Sequence, residues 1–392
     1  MMNWTTKRKN IHTSSSVPHV KSAAGVVGRA PANLAVNFSP HDLFAAAARC
    51  SHLHLVNPSI STPEFQMIAK LIEPHVDNSS SNFAVLASVD SFKDFIKSYF
   101  VGTVATGLAY LAMINEGYVW SDHFEHLGGG NPSHTKKPDF VFAGVATGVA
   151  LVEAKGGRSG SLNKFNTVVS DGYTDQVEAH LGHAVGGVTA SHGYCIGAWL
   201  QSAQKADLLV HYTEVPAPPQ PPRDDATADI STIQQHNFAT AFALTHGPRL
   251  GNALRTGDSR YLFYPFWRFT WLGVNWVTGF GLNWSEAGFN KTWLLWDDLY
   301  LGAWELSPNQ RFFAIEESRA KAALSRFLGK GRFLHADLPG MTPIDSSLQA
   351  LVREQEDGQG TVFPDGLAYV DLSRIKVKFE PVVWNVDRLG FE

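Results

Sequence analysis

Two carboxylates and a lysine, Asp139, Glu153 and Lys155, stand at spacings that could bring them to one point. Phe140 to Ala143 and Val149 to Val152 are short apolar runs separated by Gly144 to Gly148, a pattern that predicts a β-hairpin turning near Ala146. In an antiparallel pair about that turn, Asp139 at the start of the first strand falls opposite Glu153 at the end of the second. Side chains alternate faces with period two, so Glu153 and Lys155 share one face while Val152 and Ala154 point into a core. Magnesium takes hard oxygen ligands and keeps several waters, so Asp139 and Glu153 with a substrate phosphate suffice to hold it. Lys155 beside such an ion could position or help deprotonate an attacking water, or neutralise charge on a phosphoryl transition state. Its acidic neighbours favour the ammonium form, which makes charge stabilisation the easier role to defend. The chemistry in view is metal-dependent hydrolysis of a phosphodiester.

The elements that must carry these residues can be read on either side. Upstream, Asp90-Ser91 caps a helix whose apolar positions Phe92, Phe95, Ile96 and Tyr99 recur at helical spacing, and Gly117 is a C-terminal stop. A first strand from Tyr118 to Leu127 follows. Downstream, Tyr173, Val177, Leu181 and Ala184 predict an amphipathic helix with Gln176, His180 and His183 on an adjacent face. Strands from Tyr194 to Leu200 and from Leu208 to Thr213 close the unit. Pro-Asp and Glu-x-Lys each occur alone in turns and on solvated strand ends. Their conjunction with apolar strands and ordered flanks points to a site.

As Pro138-Asp139 and Glu153-Ala154-Lys155, these residues resemble the PD-(D/E)xK nuclease superfamily, a resemblance covering Asp90 to Glu214, under half the chain. It implies an α/β fold with an αβββαβ restriction-endonuclease-like core and a mixed sheet. It also implies cleavage of DNA, less often RNA, with Mg2+ (Mn2+ substituting) held by Asp139 and Glu153. Members often carry a third acid in the helix before the first strand, and Phe95 to Asn115 contains no Asp or Glu. Glu116 is the acid available there, in a last helical turn whose dipole disfavours it; Glu125 on the first strand is its rival. The family also favours a polar residue on the helix after the lysine, which Gln176 matches.

Charge is local rather than global. Between Asn131 and Lys164 five basic residues, Lys136, Lys137, Lys155, Arg158 and Lys164, face two acids. Lys136, Lys137, Arg158 and Lys164 are candidate phosphate-backbone contacts, flanked by Gly-rich loops at 128–134 and 156–161 that could act as flexible arms. The net charge of -4 argues against a protein that coats polyanions. A protein partner or a homo-oligomer remains open.

At 392 residues and 44% hydrophobic content the chain can hold two domains. The expected division is a flexible arm at 1–40, a nuclease-like domain at 41–214, a Pro-rich linker at 215–229 and an α+β region at 230–392 for substrate or partner recognition. That last region opens on a helix from Ser231 to Leu244. It holds seven of the eleven tryptophans between Trp267 and Trp304, more in keeping with a core than with base stacking. A helix near Phe312 to Phe327 and a strand-like end from Leu367 to Val383, entered through Pro364-Asp365-Gly366, complete it. Cys50 and Cys195, far apart, suggest neither a disulfide framework nor a cysteine zinc site, and with no signal-peptide core the expectation is cytoplasmic. Phe100 to Ile114 falls short of the roughly 20 residues needed to span a bilayer, and Tyr261 to Leu282 carries Pro265 and Arg268, so no membrane segment is expected. His180 with His183, and His123 with His126, lack a third ligand nearby. Two functions follow: a metal-dependent DNA nuclease, with microbial defence or restriction as a fold-level analogy, or a catalytically silent nuclease-like domain that binds nucleic acid or protein.

Overall fold

Two continuous apolar runs, on either side of Gly144 and Gly148, pair antiparallel as a central hairpin whose residues are buried. In the computed structural model the described residues are 4–15, 35–51, 67–144, 147–158, 160–201, 206–214, 230–258, 262–279, 311–328, 341–354, 359–371, 375 and 377–392. They form two units, Met1–Leu53 with Ile68–His236 and His54–Met67 with Asn237–Glu392. The Pro-rich segment expected as a linker at 215–229 lies outside the described residues.

The first unit is mixed α/β. Its strands are β1 (Lys9–Ser15), β2 (Ala35–Phe38), β3 (Trp120–His123), β4 (Phe140–Gly144), β5 (Gly148–Gly157), β8 (His192–Trp199) and β9 (Asp207–Glu214), with a two-residue ribbon β6 (Ala184–Val185) and β7 (Val188–Thr189) between. The seven-stranded sheet has the order β2-β1-β9-β8-β5-β4-β3. β3, β4 and β5 form an antiparallel meander, β8 lies parallel to β5, and β9 returns antiparallel. Its helices are α1 (Pro40–Cys50), α2 (described over 67–72), α3 (Asp94–Asn115), the single turn α4 (Phe124–Leu127) and α5 (Leu162–Gly172). Ser39 caps α1 through a reciprocal bond with Asp42, an arrangement worth about 1 kcal/mol.

Two glycines show how the helices flank the sheet. A Cβ on Gly156 would meet Val101 of α3 at 2.7 Å, and one on Gly157 would run into Phe165 of α5. Successive strand residues point to opposite faces, so α3 covers one face and α5 the other. By length and composition α3 could cross a membrane, yet 61% of its apolar window is buried within the fold.

Four expectations change here, the first being the cap: the helix before the meander begins at Asp94 behind Lys93, and Asp90 and Ser91 lie in the preceding single turn Ala87–Ser91. The arm at 1–40 is not a free arm where it is described: Lys9–Ser15 pairs between β2 and β9, and the Lys9 ammonium donates to the carbonyl of Asp77 at 2.5 Å and to that of Ser80. The first strand of the meander ends at His123, and Phe124–Leu127 turns helical. The helix after the lysine begins earlier, at Leu162, and then widens through Tyr173–Val177 and tightens through Glu178–His180.

The second unit is an antiparallel sheet with helices. β10 (Phe263–Trp271), β11 (Val274–Thr278), β12 (Arg311–Glu316), β13 (Gly360–Val362), β14 (Leu367–Asp371), β15 (Glu380–Asn385) and β16 (Gly390–Phe391) lie in the order β13-β14-β12-β11-β10-β15-β16. α6 (Ser231–Thr245) leads into it, followed by α7 (Pro248–Thr256), α8 (Glu317–Leu328) and α9 (Ser346–Glu354). The helix expected near Phe312 begins only at Glu317, because Phe312 to Ile315 are all buried as the centre of a strand. Of the tryptophans from Trp267 to Trp304, Trp271 and Trp276 are buried, as core packing requires, and Trp267 is half-buried; Trp284, Trp293, Trp296 and Trp304 lie outside the described residues.

Candidate active site

The pairing of Phe140 with Val152 and of Val141 with Leu151 carries on to set Asp139 opposite Glu153, the register expected from the hairpin. Two bonds fix this end of the hairpin. The Asp139 N–H donates to Glu153 Oε2 at 3.1 Å, and the Ala154 N–H donates to Asp139 Oδ2 at 2.9 Å. Glu153 is 2% exposed. The Lys155 ammonium, on the same face, bonds Glu153 Oε1 and donates to Gln176 Oε1 at 2.8 Å. The Gln176 amide is oriented by its other end, which donates to the Lys137 carbonyl at 3.0 Å. Asp139, Glu153, Lys155 and Gln176 therefore form one connected group.

Burial sets the electrostatics. It pushes the Glu153 carboxyl up to about 8, with the Asp139 charge adding to the rise and Lys155 opposing it. Burial also raises Asp139, against the Ala154 N–H and Lys155, which pull it down. Lys155 is raised because the charge and bond of Glu153 outweigh its desolvation. The pair of carboxyls thus retains a proton near neutrality while Lys155 stays an ammonium. Two neighbours shape the pocket around it: Gly172, where a Cβ would meet Lys155 Cε at 2.6 Å, and the buried Cys195, paired with Glu153 across β5 and β8, whose thiol burial holds protonated.

The donor set suits a hard divalent cation. Two adjacent carboxylates that burial forces to share a proton have an electrostatic reason to exchange it for a metal. Among the described residues no three His, Cys, Asp or Glu side chains gather to hold one ion, so Asp139 and Glu153 would hold it with water and substrate oxygens.

Glu116 is not part of this group. It caps α3 beside Gly117, next to the start of β3, and the antiparallel pairing of Trp120 with Ala143 puts that start at the turn end of the hairpin. Four β-pairs separate that end from Asp139, about 13 Å of strand. Glu125 is the nearer acid: the Phe124 N–H donates to the Asp139 carbonyl at 3.1 Å, and Asp139 senses the Glu125 charge.

The expected phosphate contacts divide. Lys136 and Lys137 are exposed on the segment leading to Asp139, Lys136 paired with Asp175 at 2.7 Å, and Lys164 is exposed on α5. Arg158 does not offer its charge to solvent. Its side chain is 2% exposed and reaches Asp90 at 2.9 Å and the carbonyls of Leu86 and Leu200 at 2.8 and 3.0 Å, where it ties β5 to the turn before α3. Nor is the 128–134 loop free: His180 and Ala184 bind its backbone. His126 and His236 donate from Nδ1 to the buried Asp122, at 2.9 and 3.1 Å. Sequence reading missed Asp122, although its i, i+4 spacing to His126 was visible, and missed Gly172, for which no local signal exists. No family model, curated protein or solved structure matches the chain.

Proposed function

We propose that the first unit is a divalent-metal-dependent nuclease of the PD-(D/E)xK kind, hydrolysing phosphodiester bonds of DNA. The observation that carries this reading is the pair Asp139 and Glu153, set together at a strand end by two backbone bonds with Glu153 buried, beside an ammonium that Gln176 holds in place. The order helix, three-strand meander, helix, parallel strand supports a restriction-endonuclease-like core.

Asp139 and Glu153 would hold Mg2+ or Mn2+, which when bound supplies Lewis-acid polarisation of the phosphoryl oxygens and a more acidic water. Lys155 remains protonated, so it places positive charge against the phosphate as negative charge accumulates and acts as no general base. Gln176 fixes where that ammonium points. Lys137 and Lys164 are exposed cations for the strand backbone.

A silent nuclease-like domain draws on one observation, the position of Glu116 at the opposite end of the meander. Cleavage of plasmid, linear and single-stranded DNA with Mg2+ or Mn2+ separates the readings, with Glu153→Ala and EDTA as controls. Metal-dependent cutting lost in the variant is expected. No cutting together with no metal binding by calorimetry would overturn the proposal in favour of the silent domain.

A further inference from the structure

One buried imidazole fastens the segment that delivers Asp139. His180, 1% exposed, ends the turn after α5. Its Nδ1 accepts from the Asn131 N–H at 2.9 Å, and its Nε2 lies 2.8 Å from the Lys136 carbonyl. A backbone N–H only donates and a carbonyl only accepts, so these partners select the neutral ring with its proton on Nε2. The approach is close: a Cβ on Gly130, at φ 82°, would meet Nδ1 at 2.6 Å. Three further bonds run alongside, from Asn131 Nδ2 to the Ala179 carbonyl at 3.0 Å, from Gln176 Nε2 to the Lys137 carbonyl and from Lys136 to Asp175.

We infer that His180 is a pH-sensitive latch, a positioning residue whose neutral ring clips residues 131–137 onto the 175–180 turn and so holds Gln176 against Lys155. Protonation turns Nδ1 into a donor facing the Asn131 N–H, which breaks one bond and sets two donors head to head. Lys137 and His134 from the clipped segment and His183 from the turn all face the ring and disfavour its charge; the Lys136 carbonyl favours it, and α4 contributes the edge of Phe124 at 5.2 Å. Burial, the largest influence, lowers the folded-state value below the ordinary imidazole value of 6.5. The latch is therefore whole above that ordinary value and is lost as pH falls through the lower, folded one. Its consequence for cleavage rests on the nuclease reading; the latch itself does not.

The test is amide hydrogen exchange by NMR on the full chain, as protection factors at about pH 7.5 and at a pH below the midpoint of the His180 ring's own proton titration, for the wild type and His180→Gln. A glutamine offers an acceptor and a donor but cannot titrate. In the wild type the Asn131 amide is expected to lose protection about tenfold or more on acidification, the scale of one lost hydrogen bond, while amides of β5 and β8 do not change. In His180→Gln its protection should be the same at both pH values. Unchanged Asn131 protection in the wild type, or an equal loss in the variant, would overturn the latch. If the variant does not fold, the wild-type His180 ring titration followed by its own proton resonance must coincide with the Asn131 amide shift, and a mismatch overturns it. Absence of DNA cleavage would leave this exchange result standing, so the two proposals fail separately.

Discussion

Metal binding should expel a proton from the carboxylate pair, and the number expelled follows from the burial of Glu153. With its carboxyl pushed up to about 8 by burial and the Asp139 charge, Glu153 holds its proton at pH 7. A divalent cation binds the deprotonated oxygens, so each ion should release close to one proton at pH 7 and progressively less as pH rises through about 8. Apparent affinity should correspondingly rise about tenfold per pH unit up to pH 8 and flatten above it. Lys155, raised from its ordinary value, keeps its proton throughout and contributes nothing to the count. The assay is titration calorimetry with Mn2+ in buffers of different ionisation enthalpy, where the slope of observed heat against that enthalpy is the number of protons. Glu153→Gln should bind weakly and release none. Binding by the wild type at pH 7 with no proton release would refute the reasoning, because the pair would then be fully ionised despite its burial.

Lys155→Met should cut the cleavage rate by about a hundredfold or more while Mn2+ still binds by calorimetry, since removing a charge-stabilising donor costs on that scale without touching the ligands. Gly172→Ala puts a Cβ against Lys155 Cε, the far end of a flexible side chain; a loss of rate of about tenfold with a melting temperature within a few degrees of wild type is expected. Arg158→Ala should destabilise the first unit by about 2 kcal/mol in urea denaturation, because it removes the donor to the carbonyls of Leu86 and Leu200, while the exposed Asp90 keeps Lys97 at 3.0 Å. Lys164→Ala, on an exposed position, should change stability by no more than about 0.5 kcal/mol and weaken DNA binding in a salt-dependent way.

Asp139, Glu153 and Lys155 were legible because a hairpin with symmetric apolar strands has one register, and that register counts residues outward from the turn. The same logic condemns Glu116, and it was available from sequence: in an antiparallel meander the start of β3 lies beside the end of β4, so a residue just before β3 sits at the turn end and not with Asp139. Proximity in chain order hid this. Arg158 misled for a different reason. A cation in a Gly-rich stretch reads as exposed, and its partner Asp90 is 68 residues away, beyond any local signal. β1 was missed because Lys-Asn-Ile-His-Thr-Ser-Ser has almost no apolar alternation; its place comes from pairing on both sides and from carbonyls that receive the Lys9 ammonium. β12 was missed because four consecutive apolar residues fit a buried strand or a helix equally well. Gln176 was found from the family resemblance and an expected helical face, although the backbone there is a widened turn.

The arrangement also bears on whether these charges serve the fold. Two like charges held side by side at a partly buried site repel more strongly than they would in water. The fold returns part of this through one backbone N–H to each carboxylate, from Ala154 to Asp139 and from Asp139 to Glu153, and through Lys155. Yet one ammonium neutralises one carboxylate, and the surplus acid is handled by holding a proton rather than by pairing. A purely structural ion pair would need only Glu153 and Lys155. Asp139 is the residue that makes the group anionic once the proton leaves, and it raises Glu153 by doing so. Removing it should therefore stabilise the metal-free first unit, and the more so as pH rises. Glu153 is raised in the folded state, so its ionisation favours the unfolded chain from its ordinary value of 4.5 up to about 8. Asp139→Asn keeps the shape and deletes the repulsion. If urea denaturation without metal shows Asp139→Asn to be less stable than wild type at pH 8.5, the second carboxylate is a structural element and the case for a cation site loses its physical basis.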